Sequence, residues 1–247
     1  MTDRDQTTGS PSIQAQHDYY TERWRKLQYV TPLELARLTG VFRYLDRIGL
    51  QPEPKICDLG CGAGWGTNIL GMFGPATGID LSDVSVAQAR YPHCEFLSVN
   101  LSEWEPPESA FDVVVSQEVI EHIEWADQAK YLNLANTLLK PGGHLVLTTP
   151  NKPTMNAISG GGRSWSNQPL ENWLDASELK ALLRRSGFEI KAQTSVTIGI
   201  ASEGRYRIVN SFKLNQLLNA IGLGRLWRSA ALWANFGLHL VVLARKA

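Results

Sequence analysis

The chain has 247 residues, of which 43% are hydrophobic and 19% charged, with 24 basic and 24 acidic side chains. Such a composition supports one large folded domain with a sizeable core and excludes a disordered chain. A net charge of zero argues against a nucleic-acid binder, which normally carries a basic surplus.

Residues 1–12 read as a disordered polar leader with no export signal. From His17 to Ile48 apolar residues recur at helical spacing, and Pro32 separates two helices. KICDL then reads as a buried strand, TNILGMF as part of a helix, and GPATGID as a short strand ending at Asp80. SDVSVAQAR is expected to be helical with Ser82 as its N-cap. CEFLSV and FDVVVSQ are strands, and a helix over 126–139 is expected to stop at Pro141-Gly142-Gly143. HLVLTTP is the next strand, followed by a Gly/Ser/Asn-rich loop that includes Gly160, Gly161 and Gly162. A helix from Asp175 to Ser186, closed by Gly187, leads into the strand FEIKAQTSVTI. Apolar strands alternating with helices predict an α/β fold, doubly wound around a mostly parallel sheet.

Three cysteines, Cys57, Cys61 and Cys94, form no CxxC pair. Neither a disulfide framework nor a zinc site is expected, and a reducing cytoplasm is the expected compartment.

The turn after the first strand carries the chemistry. In ICDLGCGAGWG, Gly60, Gly62 and Gly64 follow an apolar run, with Asp58 just ahead and Cys61 between the first two glycines. A strand, glycine turn and helix in succession hold a nucleotide at the end of a parallel sheet. Asp80, at the end of the second strand, is placed to bind both hydroxyls of a ribose. The dinucleotide pattern GxGxxG fails, because Trp65 occupies its third glycine position. A carboxylate at Asp58 also suits an ammonium better than a pyrophosphate. S-adenosylmethionine has an ammonium, a sulfonium and a ribose, and no phosphate. The plainer reading is that the glycines only allow close helix–strand packing.

The segments DLGCGAGWG, GIDLS, FDVVVSQEVIEHI, LLKPGGHLVLTTPN and ELKALLRRSGF, in this order between about 54 and 190, together resemble class I S-adenosylmethionine-dependent methyltransferases. They are most similar to the small-molecule O-methyltransferases of ubiquinone biosynthesis. The resemblance implies a seven-stranded Rossmann-like sheet whose last strand is antiparallel. It implies that Gly60, Gly62 and Gly64 hold the methionine part of the cofactor. Asp80 would take the ribose hydroxyls, and Leu81 would lie beside the adenine. Asn100, followed by Leu101, stands where the family usually has an Asp on the adenine amino group. Gln117 and Glu118 would lie under the reacting sulfur.

EVIEHI places Glu118, Glu121 and His122 at i, i+3 and i+4, which predicts one helical turn presenting all three together. Three readings are open: His122 as general base for an acceptor hydroxyl, the three as ligands of a divalent metal, or a solvated first helical turn. The metal reading belongs to an RNA-end methyltransferase and wants a further histidine after Asn151, a loop that offers only Asn156, Asn167, Gln168 and Glu171. A cofactor-binding subunit without catalysis is a third class of function. Of the other histidines, His239 reads as a packed residue of the last strand.

From Glu203 onward the chain has seven basic residues and one acidic residue. Phe212, Leu214, Leu217, Leu218 and Ile221 recur at helical spacing, followed by Leu226, Trp227, Ala230 and Trp233. Two readings stand here: core-facing helices with a solvated charged side, or a cap with Arg205 and Arg207 that favours an acidic or lipid-linked acceptor. The expected organisation is a helical lid over 13–50, a cofactor-binding core over 54–200 and a helical cap over 203–237 before the final strand. The expected partner is a small molecule, with peripheral membrane contact open and oligomeric state unassigned.

Overall fold

The computed structural model describes residues 11–27, 29–100, 103–159, 168–199, 201 and 204–247. The leader up to residue 10, Leu101, Gly160, Gly161, Gly162, Asn167 and Glu203 lie outside the described residues.

Two helices precede the sheet. Helix α1 (Ile13–Lys26) is capped by Ser12, whose side chain accepts from the Ala15 N–H. Helix α2 (Pro32–Ile48) begins on the expected proline, behind a capping box formed by Thr31 and Glu34. Proline fits there because a first-turn N–H has no helical partner to lose. Then come β1 (Ile56–Leu59), α3 (Trp65–Leu70), β2 (Ala76–Asp80), α4 (Ser85–Arg90), β3 (Glu95–Ser98) and β4 (Phe111–Gln117). A 3-10 turn at Ile120–His122 leads to α5 (Gln128–Leu138), β5 (Leu139–Pro150), α6 (Lys152–Ser159) and α7 (Ala176–Arg185). The chain closes with β6 (Phe188–Val196), α8 (Tyr206–Val209), α9 (Phe212–Ala220), α10 (Gly224–Trp233) and β7 (His239–Lys246).

The seven strands form one sheet in the order β3-β2-β1-β4-β5-β7-β6. β7 runs antiparallel between β5 and β6, and the pairings among β1 to β5 are parallel. The strand order reverses between β1 and β4, and ligands bind at such a switch point beyond the carboxyl ends of the strands. One apolar layer joins the sheet to α5 and α7 through Leu132, Leu138, Leu179 and Leu183, all fully buried. The other joins it to α2 through Val41, Tyr44 and Leu45. The two together account for the continuous apolar runs in β1, β4 and β7, since a strand covered on both faces has no polar side.

Three sequence expectations need correction. Ser82 does not cap α4, which starts at Ser85 behind Val84; instead its N–H and hydroxyl both donate to Asp80. β5 begins at Leu139 rather than at His144, because Leu139 already pairs with Phe111 before a bulge takes up Lys140 to Gly143. Finally, the apolar stripe of α9 is not core-facing throughout. Phe212 is 79% exposed, and Leu217 and Ile221 are each 59% exposed.

Helix α10 packs against α9 and against β6, and the Ser195 hydroxyl donates to the Leu232 carbonyl. Tyr206 of α8 is buried, with its hydroxyl 2.7 Å from Thr154 of α6. The insert therefore backs α6 at the β6 edge. No helix among the described residues is long and apolar enough to cross a membrane.

Candidate active site

A cavity of about 440 Å³ opens at the switch point, lined by the glycine turn, the ends of β2 and β4, the 3-10 turn and one side of α1. That volume is in the range of small-molecule and cofactor sites. A second hollow, of about 530 Å³, is bounded by Trp125, Ser177 and Arg185 and has none of the glycine turn.

Gly60, Gly62 and Gly64 all have positive φ, at 89°, 52° and 78°. Two of these positions show why only glycine serves. A Cβ on Gly60 would lie 2.2 Å from a methyl of Val119, and one on Gly62 would lie 2.9 Å from the Trp24 ring. The turn is thus pressed between the 3-10 segment and α1. Gly60, Cys61 and Gly62 line the cavity. Gly64 faces Ala87 and Phe96 and serves helix–sheet packing.

Both acids lie at the turn. The Gly62 N–H donates to Asp80 Oδ2 at 2.8 Å, so Asp80 and the turn hold each other in place. A carboxylate has about four lone-pair sites, which leaves Asp80 capacity for hydroxyl donors. Asp58 is buried, and its Oδ2 accepts from the Thr67 hydroxyl at 2.7 Å. Burial pushes its carboxyl up to about 6; the Thr67 hydrogen bond opposes the rise and nearby Asp80 adds to it. Among the described residues Asp58 has no cationic partner. An uncompensated buried carboxylate at the mouth of a glycine turn suits an ammonium group. Leu81 and Gln117 also line the cavity. Asn100 lies past the end of β3, where its carbonyl accepts from the Glu103 and Trp104 amides. Leu101 lies outside the described residues.

EVIEHI is not a helical turn. Glu118 has φ 55°, a left-handed conformation that costs a non-glycine residue about 1–3 kcal/mol and clusters at functional sites. The kink redirects the chain into the 3-10 turn, and all three side chains still line the cavity, each held by different partners. The Thr148 hydroxyl donates to Glu118 Oε1 at 2.8 Å, and His239 Nε2 lies 3.3 Å from Glu118 Oε2. Arg37 of α2 reaches within 3.9 Å of Glu118 Oε1. Glu121 is buried, and its Oε2 accepts from the Thr149 hydroxyl at 2.9 Å. Burial, reinforced by Glu118, pushes the Glu121 carboxyl well above the usual range. The solvated-turn reading is therefore overturned.

His122 Nδ1 lies 2.6 Å from the Leu170 carbonyl. A carbonyl only accepts, so Nδ1 carries the proton and Nε2 keeps its lone pair. Burial lowers the His122 pKa, the Leu170 bond opposing it. Nε2 is 3.7 Å from Glu121 Oε1, too far for a hydrogen bond. Tyr20 of α1 stands beside it, ring centroids 5.7 Å apart, and stacks on Trp24 at 6.0 Å. Helix α1 is pinned to the core where Tyr20 Oη donates to Gln168 and where Asp83 N–H donates to Thr21. Among the described residues, no three of His, Cys, Asp and Glu are grouped so as to hold a metal ion.

His239 is packed as expected, but nothing in the sequence places it, or Arg37, beside Glu118. Their signal is tertiary only: β7 inserts beside β5 with His239 paired to Pro150, which brings it to Glu118.

Fold and site together define a Rossmann-like methyltransferase architecture. A methyltransferase-domain family model matches residues 24–193. The chain belongs to this methyltransferase family. A probable S-adenosylmethionine-dependent methyltransferase of Mycolicibacterium smegmatis is 34% identical over 148 residues, covering 58% of this chain and 55% of that protein. The chain thus spans about half the length of its mycobacterial relatives. The ubiquinone biosynthesis O-methyltransferase of Roseobacter denitrificans is 30% identical, covering 74% of this chain and 84% of that protein. Among solved structures, the N-methyltransferase NodS of Bradyrhizobium japonicum, in complex with S-adenosyl-L-homocysteine, aligns with a TM-score of 0.63. The identity is 16%, over 95% of this chain and 98% of that one, a likeness of fold alone.

Proposed function

We propose that the chain binds S-adenosylmethionine at the glycine turn and methylates a hydroxyl oxygen of a small molecule, with His122 as general base. The observation that carries the base assignment is the Leu170 carbonyl on His122 Nδ1. It leaves the Nε2 lone pair in a residue that lines the same cavity as the glycine turn. The relatives' cofactor supports the assignment, and the buried Asp58, with no cationic partner among the described residues, fits its ammonium.

When bound, the cofactor supplies a methyl group already activated by the adjoining sulfonium. Asp58 would hold the ammonium and Asp80 the ribose hydroxyls, with Leu81 beside the adenine. His122 Nε2 takes the proton of the acceptor hydroxyl, and Leu170 keeps the imidazole in the tautomer and orientation that this needs. Burial pushes the Glu121 carboxyl well above the usual range, which disfavours it as a charged base. Tyr20 and Trp24 of α1 close the cavity against water as a lid, so alignment and desolvation are supplied by the fold.

Asp80→Asn removes the charge facing the ribose and turns one accepting oxygen into a donating NH2, so either the Gly62 N–H or the two Ser82 donors lose their acceptor. Its S-adenosylmethionine affinity should drop about tenfold, roughly 1.4 kcal/mol. Calorimetry giving wild-type affinity would take Asp80 out of the site.

The decisive experiment uses methyl-labelled S-adenosylmethionine with phenols, sugars, amines and RNA as acceptors, with and without EDTA. Label in a methyl ether, undiminished by EDTA, is the expected result. Transfer to RNA alone, or activity lost to EDTA and restored by magnesium, would replace this reading by the metal one. Tight cofactor binding with no transfer to any acceptor would favour a non-catalytic subunit.

A further inference from the structure

The helical insert presents exposed apolar side chains that neither the core nor the cavity uses. Phe212 is 79%, Leu226 68% and Trp233 73% exposed, and Leu217, Ile221 and Leu223 are also exposed. In α10, Leu226, Ala230 and Trp233 fall at i, i+4 and i+7, so they share one side of the helix. All three are exposed. Apolar surface gathered in this way on a folded protein marks an interaction site. None of the described residues of 204–237 lines the cavity at the glycine turn, so these side chains stand apart from it.

Charge identifies the occupant. From Gly204 to Trp233 the sequence has five Lys and Arg residues and no Asp or Glu. Lys213, Arg225 and Arg228 belong to the two helices and are exposed. A second copy docking through a two-fold axis would set these cations against themselves. A nucleic acid would use the cations but leave the aliphatic residues in water. An anionic lipid surface takes both kinds, with phosphates for the cations and the headgroup–acyl boundary for Trp, Phe and Leu. We propose that α9 and α10 dock the chain on an anionic membrane surface.

The test is co-sedimentation of the full chain with vesicles of phosphatidylcholine alone or mixed with phosphatidylglycerol. Binding to the mixed vesicles should be at least tenfold stronger. It should be lost as ionic strength rises from about 0.05 M to about 0.5 M, where screening shortens to a few ångströms. Removing two cations in Arg225→Gln with Arg228→Gln should weaken it about 25-fold, at roughly fivefold per charge. Leu226→Ser with Trp233→Ser should weaken it at least tenfold, while S-adenosylmethionine affinity stays unchanged in both double variants. Because the changed side chains are exposed, that unchanged affinity also checks that the variants fold. Three results would overturn the proposal: no binding to phosphatidylglycerol vesicles at low salt, equal binding to phosphatidylcholine alone, or a dimer in light scattering that Leu226→Ser with Trp233→Ser dissociates.

Discussion

His122→Ala should lower kcat by roughly 100-fold or more while leaving S-adenosylmethionine affinity within about twofold of wild type, the range expected when a general base is removed. The side chain lines the cavity with Nδ1 committed to Leu170, so its loss removes a proton acceptor without removing a cofactor contact. The pH profile separates this from a packing role. Burial lowers the His122 pKa below its ordinary 6.5, so the imidazole stays neutral, and basic, to lower pH than a free histidine. Wild-type kcat, measured at saturating S-adenosylmethionine so that cofactor binding does not enter, should hold through neutral pH and fall only below 6.5, on a limb that the alanine variant lacks. The same acid limb in His122→Ala would assign it to another group.

Asp58→Asn should lower S-adenosylmethionine affinity by roughly 100-fold, at the upper end of the loss of about 1.5–3 kcal/mol expected for a charge-assisted hydrogen bond. It should at the same time stabilise the free protein at pH 7–8. The sign follows from the pKa of about 6, raised above the ordinary carboxylate value. A group raised on folding favours the folded state fully below its unfolded pKa, and that contribution is lost as pH rises through about 6. Above that pH the buried charge penalises the free protein, by on the order of 3 kcal/mol for two pKa units at 1.36 kcal/mol each. Asparagine keeps the Thr67 hydrogen bond and carries no charge, so the Tm difference between variant and wild type should grow from pH 5 to pH 8. Cofactor affinity of the wild type should run the other way and weaken as pH falls below about 6, where a proton competes with the ammonium for Asp58. Calorimetry and thermal melts across this range check both. An Asp58→Asn protein that binds like wild type and melts no higher would show that Asp58 neither meets the ligand nor carries an uncompensated charge.

The fold was legible because its signals are local. Strands covered on both faces carry continuous apolar runs, as VVV in FDVVVSQ and LVVLA in HLVVLARK do; Gly and Pro mark turns between elements. The glycine turn, with Asp58 before it and Asp80 at the end of the next strand, was also legible, since three positive-φ positions at alternate residues call for glycine in the sequence itself.

What the sequence could not decide is how these local pieces meet. Spacing makes Glu118, Glu121 and His122 neighbours on a helix, yet the left-handed Glu118 breaks that helix. Its carboxyl then meets Thr148, His239 and Arg37 from three different elements. The antiparallel seating of β7 between β5 and β6 delivers His239, and no sequence interval encodes that contact. Periodicity likewise tells which residues of α9 and α10 share a side, but not whether anything covers it. A stripe read as core stands partly in solvent, because burial is decided by what the rest of the chain packs against a helix, and only the tertiary structure contains that.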